Sequence, residues 1–311
     1  MKYIFGPVNS RRLGLSLGID LVSFKTCSLN CIYCECGKTT ALTSSREEYV
    51  PTSDVLSEIE QVLSPGPELD VVTFSGSGEP TLHRDIGVII NYIKDTFPRY
   101  RVAVLTNGTM LWKQEVRQAL VRADVVVPSL DAVSEEVFTR MLRPAPGISA
   151  EKTVAGLIEF SRHYRGSLII EVFIVPGIND SEEELGKIKD ACMQVNPSLV
   201  QLNKLDRPGA EDWITRAANG RLSEIRDYFK PLPVEIIGEP GASPEVKGDY
   251  FDVVQRVLST LKRRPSTVDD LEKTLGLRRV EVVKIIDELT RKGLISSETM
   301  ERGVFYRVVE Q

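Results

Sequence analysis

Short runs of β-branched and aliphatic residues alternate along the chain with longer amphipathic stretches, the pattern of parallel strands joined by crossover helices. Strands are expected at Leu15 to Asp20, Val71 to Phe74, Val102 to Leu105, Val125 to Ser129, Leu168 to Ile174 and Leu199 to Asn203. Helices are expected between them at Ser53 to Leu63, Asp85 to Phe97, Gln114 to Arg122, Ser149 to Tyr164 and Ser181 to Val195. Runs such as Val-Val-Thr-Phe and Val-Ala-Val-Leu are nearly free of polar residues, as strands covered on both faces require. Within the α/β class the nearest architecture is a partial (βα)6 TIM-like barrel.

Each of these strands ends in small or polar residues. Ser75-Gly76-Ser77-Gly78-Glu79-Pro80 follows the second, Thr106-Asn107-Gly108 the third, Ser129-Leu130-Asp131 the fourth and Pro176-Gly177-Ile178-Asn179-Asp180 the fifth. Such residues make turns in any protein. In a barrel they also meet at the mouth formed by the C-terminal strand ends, where sites are built. The breakers between Gly238 and Pro244 then read as a linker, and the periodicity changes beyond them. Three amphipathic helices follow, Phe251 to Leu261, Thr267 to Leu275 and Arg278 to Lys292, with a hairpin of Leu294 to Ser297 and Val304 to Val308. That order predicts a C-terminal winged helix-turn-helix domain. The expected division is 1–237 for the barrel, 238–248 for the linker and 249–311 for the winged helix.

A formal net charge of -5 lacks the electropositive footprint of a protein that coats nucleic acid by charge. No apolar run reaches the roughly 18 residues of a membrane span, and no signal peptide precedes Gly6-Pro7, so a cytoplasmic protein without a membrane role is expected. Cysteine usage is uneven: Cys27, Cys31, Cys34 and Cys36 are clustered and Cys192 stands apart. In a chain without an export signal, clustering favours metal binding over disulfides. Structural zinc would want four protein ligands, usually as two separated pairs, and a second pair is missing. Three soft ligands on one short loop instead suit one face of an iron–sulfur cubane, whose remaining iron stays open to a small molecule.

At Cys27-Ser-Leu-Asn-Cys31-Ile-Tyr33-Cys34 the sequence resembles the radical S-adenosylmethionine superfamily, whose hallmark is Cys-x3-Cys-x-aromatic-Cys after the first barrel strand. The resemblance implies a [4Fe-4S] cluster on Cys27, Cys31 and Cys34, with S-adenosylmethionine chelated at the open iron. A reduced cluster would cleave the sulfonium to a 5'-deoxyadenosyl radical, which abstracts hydrogen from a substrate. It further implies that Gly76, Gly78 and Glu79 bind the methionine amino group, with Ser77 standing where the family has glycine. Ser129 and Asp131 would reach the ribose hydroxyls, and Arg143 the carboxylate. Thr106 and Asn107, with Val175 to Ile178 and Gln201 to Asn203, would line the nucleoside pocket, and Tyr33 would shield the cluster or pack near the adenine. The reductant implied is a flavodoxin or ferredoxin, and the substrate stays open among peptide, protein and tRNA.

The N-terminal piece from Phe5 to Gly14, with Ser16 to Asp20 and Lys25-Thr26-Cys27, resembles the branch of iron–sulfur oxidoreductases related to the wyosine-forming tRNA enzymes. Arg11 and Arg12 in that piece read as decoration of a surface turn, with an anion site at the barrel mouth as the alternative. Cys36 reads as a spare thiol at a loop edge, Cys192 as a small buried hydrophobe. His83 reads as an ordinary loop histidine, with a proton-transfer role as the alternative.

Arg278, Arg279, Lys284, Arg291, Lys292 and Arg302 lie on or near the expected recognition helix and wing. From Asp249 to Gln311, however, 12 Lys and Arg face 11 Asp and Glu, a balance of +1 that is weak for phosphate binding. A packing or protein-binding role is therefore favoured for this domain over DNA. The alternative function, an iron–sulfur redox-sensing DNA-binding regulator, would need a more basic surface and no S-adenosylmethionine pocket.

Overall fold

The computed structural model describes residues 1–10, 12–237, 250–277 and 279–309, with the side chains of 250–252 left aside. The expected linker, Arg11 and Arg278 lie outside the described residues. An antiparallel pair, β1 (Ile4–Ser10) and β2 (Gly14–Ile19), opens the chain. Two short strands in the next loop, β3 (Thr26–Cys27) and β4 (Ala41–Leu42), pair in parallel. Then come α1 (Thr52–Leu63), β5 (Val71–Phe74), a 3-10 turn at Pro80–Leu82, α2 (Ile86–Thr96), β6 (Val102–Thr106), α3 (Gln114–Leu120) and β7 (Val125–Pro128). The second half runs α4 (Glu135–Leu142), α5 (Ala150–His163), β8 (Ser167–Ile174), α6 (Glu182–Val195), β9 (Leu199–Lys204), α7 (Asn219–Tyr228) and β10 (Val234–Ile236).

The eight-stranded sheet has the order β1-β2-β5-β6-β7-β8-β9-β10, parallel throughout except for β1 against β2. All six expected parallel strands are present. β1 and β10 extend the sheet at its two ends, beyond the six units read from the sequence.

Strand alternation divides the apolar residues into two sets. Val72, Phe74, Val102, Val104 and Val126 belong to the large core that includes the helix residues Ile59, Ile90, Leu120 and Phe160. Val71, Ala103, Val125 and Val127 form a separate small cluster with Leu13, Leu105 and Ile169. Further along the same inward-facing series the residues turn polar: Thr73 follows Val71, and Glu171 follows Ile169. Ser16 and Thr73 share a buried hydroxyl–hydroxyl hydrogen bond of 2.7 Å there. This change from an apolar plug to polar walls sets the floor of the site.

After residue 249 the chain forms α8 (Tyr250–Arg263), α9 (Val268–Leu275), α10 (Arg279–Arg291) and an antiparallel hairpin of β11 (Ile295–Met300) and β12 (Gly303–Val308). Val257, Leu271, Leu275, Val282, Ile285 and Leu289 give this unit a core of its own, against which Val8 of β1 packs. Thr267 closes a capping box: its hydroxyl accepts from Asp270 N and its own N–H donates to Asp270 Oδ2, both at 3.1 Å. Such a cap contributes about 1 kcal/mol.

Candidate functional site

The cysteine loop starts where β2 delivers the chain to the barrel mouth and is held from several sides. Asn30 N–H donates to the carbonyls of Leu142 and Arg143, Ile32 N–H to Met141 O, and Ala145 N–H to Ser28 O. The C-terminal end of α4 therefore braces the segment carrying Cys27 and Cys31. Arg143, its C-cap, adopts a left-handed backbone with φ of 47°. On the other side Glu211 N–H donates to Ile32 O at 3.1 Å, so the loop after β9 covers the same segment.

The loop after β5 meets the cysteine loop directly. A Cβ at Gly78 would lie 1.9 Å from the Thr26 carbonyl oxygen, and Glu79 N–H donates to that oxygen at 3.1 Å. Glycine at 78 thus serves contact between two loops of the protein, where the sequence suggested approach to a ligand. Gly76 has φ of +149°, and a Cβ there would lie 2.3 Å from Asp20 Cγ. Ser77, the departure from the family pattern, donates to Asp20 Oδ2 through its N–H at 3.1 Å and its hydroxyl at 2.8 Å. It anchors the loop to the end of β2.

Glu79 is buried and gathers its neighbours. Oε1 accepts from Thr81 N at 3.0 Å, Thr81 Oγ1 at 2.5 Å and Thr106 Oγ1 at 2.7 Å, while Oε2 accepts from Asn107 N at 2.7 Å. Burial raises its pKa, opposed by these donors. Asn107 Nδ2 in turn donates to Ser28 Oγ at 2.9 Å and approaches Cys27 Sγ at 3.6 Å. Glu79, Thr106, Asn107 and Cys27 are therefore one connected group.

Tyr33 stacks on Phe173, ring centroids 4.1 Å apart, and its hydroxyl donates to Asp131 Oδ2. Asp131 Oδ1 accepts from Phe173 N at 2.7 Å. Both oxygens of Asp131 are thus engaged by protein donors. Burial pushes its carboxyl up to about 7. Ser129 is tied through its backbone, N–H to Thr106 O at 3.0 Å. The Arg143 side chain is turned to Glu211, Nη1 to Oε1 at 2.5 Å, and is 39% exposed. No contact joins it to the group around Glu79 among the described residues.

Lys25, to which the sequence reading gave no role, is buried with Nζ 2.8 Å from Cys34 Sγ and a further bond to Gly37 O. Burial alone would lower its pKa, but the thiols of Cys34 and Cys36 outweigh it and the net shift is upward. The Cys34 thiol is held below the usual range, by the Cys36 hydrogen bond first and by Lys25. Burial pushes Cys27 up to about 12 and Cys31 well above its ordinary value. Cys34 adds to the rise of Cys27, and Cys34 and Cys27 add to the rise of Cys31, as neighbouring acids do. Among the described residues no three of His, Cys, Asp and Glu are gathered closely enough for a single metal ion. In a cubane each cysteine takes a different iron, so single-ion spacing is not required of this set. Three thiols on one braced loop, with a buried ammonium to offset their charge, fit such a cluster.

His83 is fully buried, Nε2 at 2.9 Å from Val50 O and Nδ1 accepting from Asp85 N at 3.2 Å. It is a backbone clamp, neither exposed on a loop nor placed to move a substrate proton. Cys192 is buried on α6, and Cys36 lies 3.8 Å from Gly76 O. Arg12 is not surface decoration: only 17% exposed, it pairs with Glu171 inside the barrel. Arg302, expected at the wing and found in the β11–β12 turn, is directed inward to Asp270 with contacts of 3.0 and 2.8 Å. Arg279, Arg291 and Lys292 pair with Asp269, Asp287 and Glu288.

A fully buried arginine, Arg207, joins the C-terminal unit to the cysteine loop. Its Nη1 lies 3.1 Å from Glu35 Oε2 and its Nη2 3.5 Å from Asp270 Oδ1.

Comparison with known proteins agrees with this geometry. A UPF0026 protein of Helicobacter pylori is 37% identical over 270 residues, 86% of each chain. A Brachyspira hyodysenteriae protein named GTPase Obg is 34% identical across 99% of this chain, which spans only 45% of that relative. A radical SAM methyltransferase from Sphaerobacter thermophilus has a similar fold, with TM-score 0.54 at 15% identity over 71% of this chain and 65% of that one. Residues 21–188, more than half of the chain and the stretch that carries the cysteine loop and the Glu79 group, match the Radical SAM superfamily. The chain belongs to that superfamily.

Proposed function

We propose that the protein is a radical S-adenosylmethionine enzyme in which Cys27, Cys31 and Cys34 hold a [4Fe-4S] cluster. The observation that carries this reading is the contact between the cysteine loop and the Glu79 group, through Thr26–Gly78 and Cys27–Asn107. When bound, the cluster and S-adenosylmethionine supply one-electron cleavage of the sulfonium and hydrogen abstraction from substrate; the protein contributes orientation and electrostatics. Glu79 Oε2, with a single protein donor, keeps acceptor capacity for the methionine ammonium. Lys25 offsets the charge of the thiolates. The Tyr33–Phe173 stack, tied down by Asp131, offers a rigid aromatic face beside Cys34.

The C-terminal unit is read as a winged helix whose role here is to pack on the barrel, since Arg279, Arg291, Lys292 and Arg302 are paired with carboxylates. A flavodoxin or ferredoxin reductant and a cytoplasmic location accompany this reading, as does placement near the wyosine-forming enzymes. The test is 5'-deoxyadenosine formation by the anaerobically reconstituted, reduced protein supplied with S-adenosylmethionine. Release of the nucleoside by the wild type and none by Cys31→Ala is expected. No release from a cluster-loaded wild type, with or without candidate substrates, would overturn the reading.

A further inference from the structure

Tyr33, Cys34, Gly76 and Phe173 line one side of a chamber of about 320 Å³, at the small end of ligand pockets. The barrel supplies its polar walls, including Ser16, Thr73 and Glu171, and the C-terminal unit adds Thr260 and Arg263. While that unit is docked, the chamber admits a small molecule.

Two guanidinium groups from distant parts of the sequence line this space. Arg12 comes from the turn between β1 and β2, Arg263 from the last turn of α8, and each side chain is 17% exposed. Arg12 is paired with Glu171 through Nη2, yet its Nε is buried with no acceptor. Arg263 stacks over Phe5 at 3.7 Å from the ring centroid and donates through Nη1 to Ser259 O at 2.8 Å, while its Nε, 3.9 Å from Asp20 Oδ2, has no acceptor in hydrogen-bond reach. Buried N–H groups in folded proteins are nearly always satisfied, and an exception calls for an explanation such as a bound ligand. The planar fork of arginine matches a carboxylate or a phosphate.

We propose that this chamber takes a small anionic substrate, whose carboxylate or phosphate is recognised by Arg263 of the C-terminal unit together with Arg12. The proposal rests on the radical S-adenosylmethionine reading for what happens to that molecule, while the anion site itself stands on the chamber. In this arrangement the C-terminal unit supplies a residue that touches substrate.

The test uses the full chain, with and without cluster, at ionic strength held constant by chloride. Inorganic phosphate and acetate are titrated separately, and binding is read by calorimetry and by the rise in melting temperature; the probe that saturates identifies the anion chemistry. Arg263→Gln should weaken binding roughly tenfold or more, the worth of a charge-assisted hydrogen bond, with Arg12→Gln in the same direction. Arg263→Lys, keeping the charge without the fork, should fall between. Circular dichroism verifies that the variants are folded. S-adenosylmethionine affinity of the cluster-loaded protein should be unchanged in both glutamine variants. The proposal is overturned if neither anion saturates the wild type, if folded Arg263→Gln binds as the wild type does, or if S-adenosylmethionine affinity falls in parallel. The last result would assign the guanidinium groups to the carboxylate of S-adenosylmethionine. Nucleoside release by the wild type separates the two readings: its loss sinks the radical chemistry and leaves the anion site standing.

Discussion

Replacing Gly78 by alanine sets a single methyl group against the joint between the two loops. The added Cβ would stand 1.9 Å from Thr26 O and 2.8 Å from a Val22 methyl, where real Cβ contacts stay beyond 3.0 Å. Backbone must yield by about 1 Å, since the nearer atom is a carbonyl and not the end of a flexible side chain. Overpacking of this kind costs about 1–3 kcal/mol. The Glu79 N–H to Thr26 O bond at 3.1 Å stretches as well, adding about 1 kcal/mol. A loss of about 2–4 kcal/mol lowers the melting temperature by about 4–8 °C, at roughly 2 °C per kcal/mol for a unit of this size. Because Thr26 adjoins Cys27, iron and sulfide content of the reconstituted protein should fall with it. Gly220→Ala in α7, with open space around its Cβ, is the control and should stabilise slightly, by about 0.5–1 kcal/mol. Differential scanning fluorimetry with iron and sulfide analysis reads both variants. A Gly78→Ala protein that melts with the wild type and holds its full iron would refute the argument that this glycine joins the two loops.

Further outcomes follow from the same geometry. Cys27→Ala, Cys31→Ala and Cys34→Ala should each lose the brown chromophore on reconstitution, whereas Cys36→Ala and Cys192→Ala should keep it; a normal visible spectrum in any of the first three removes that ligand. Asp131, raised to about 7 in the folded protein from an ordinary 3.8, keeps a proton that the unfolded chain releases. Its contribution therefore makes stability fall as pH rises from about 4 to about 7 and level off above. Asp131→Asn should shrink the difference between urea midpoints at pH 5 and pH 8, leaving the parts due to other groups such as Glu79 and Asp20, which are shifted in the same direction; an unchanged difference would refute the assignment. Arg207→Ala leaves Glu35 and Asp270 without their shared cation. The loss should approach the lower end of about 3–5 kcal/mol for breaking a buried pair, because Asp270 keeps Arg302. Hydrogen exchange should accelerate both in α9 and in the segment around Glu35, and acceleration in only one would show that Arg207 does not couple them.

The strands and most helices were legible because their signals are local: apolar alternation, breakers at strand ends, and Thr267 before Asp269 and Asp270. β1 escaped as a strand because Gly6 and Pro7 interrupt it and its register shifts between Phe5 and Val8. β10 is three residues long and follows two prolines, so no periodicity could mark it. The cysteines and the Gly-Glu-Pro loop were legible as a motif, but the reason for Gly78 was not, since the atom it avoids belongs to another loop. Lys25 and Arg207 were invisible for a related reason. A lysine beside a cysteine loop and an arginine after a strand look like any surface cation, and only the tertiary fold shows that one is buried against Cys34 and the other between Glu35 and Asp270. Arg302 does lie in the turn of the β11–β12 hairpin, where a wing cation was expected, but its inward pairing with Asp270 was not legible, because sequence gives the charge of a residue and not the carboxylate it faces.

The buried position of Arg207 says why the C-terminal unit is more than an appendage. Burying a guanidinium is costly unless carboxylates meet it, and a pair of apolar residues would serve as well for packing alone. Here the two carboxylates come from different places: Glu35 lies between Cys34 and Cys36, and Asp270 lies in the first turn of α9, in its capping box. Arg302 adds a second cation to Asp270 and lies 3.5 Å from Asp206, next to Arg207 in sequence. The docking of the C-terminal unit and the placement of the cysteine loop therefore draw on the same charges. A unit that merely needed to bind elsewhere would gain nothing from such a linkage. One that walls the chamber at the cysteines needs its wall and the cysteine loop held in register, and this chain of charges does that.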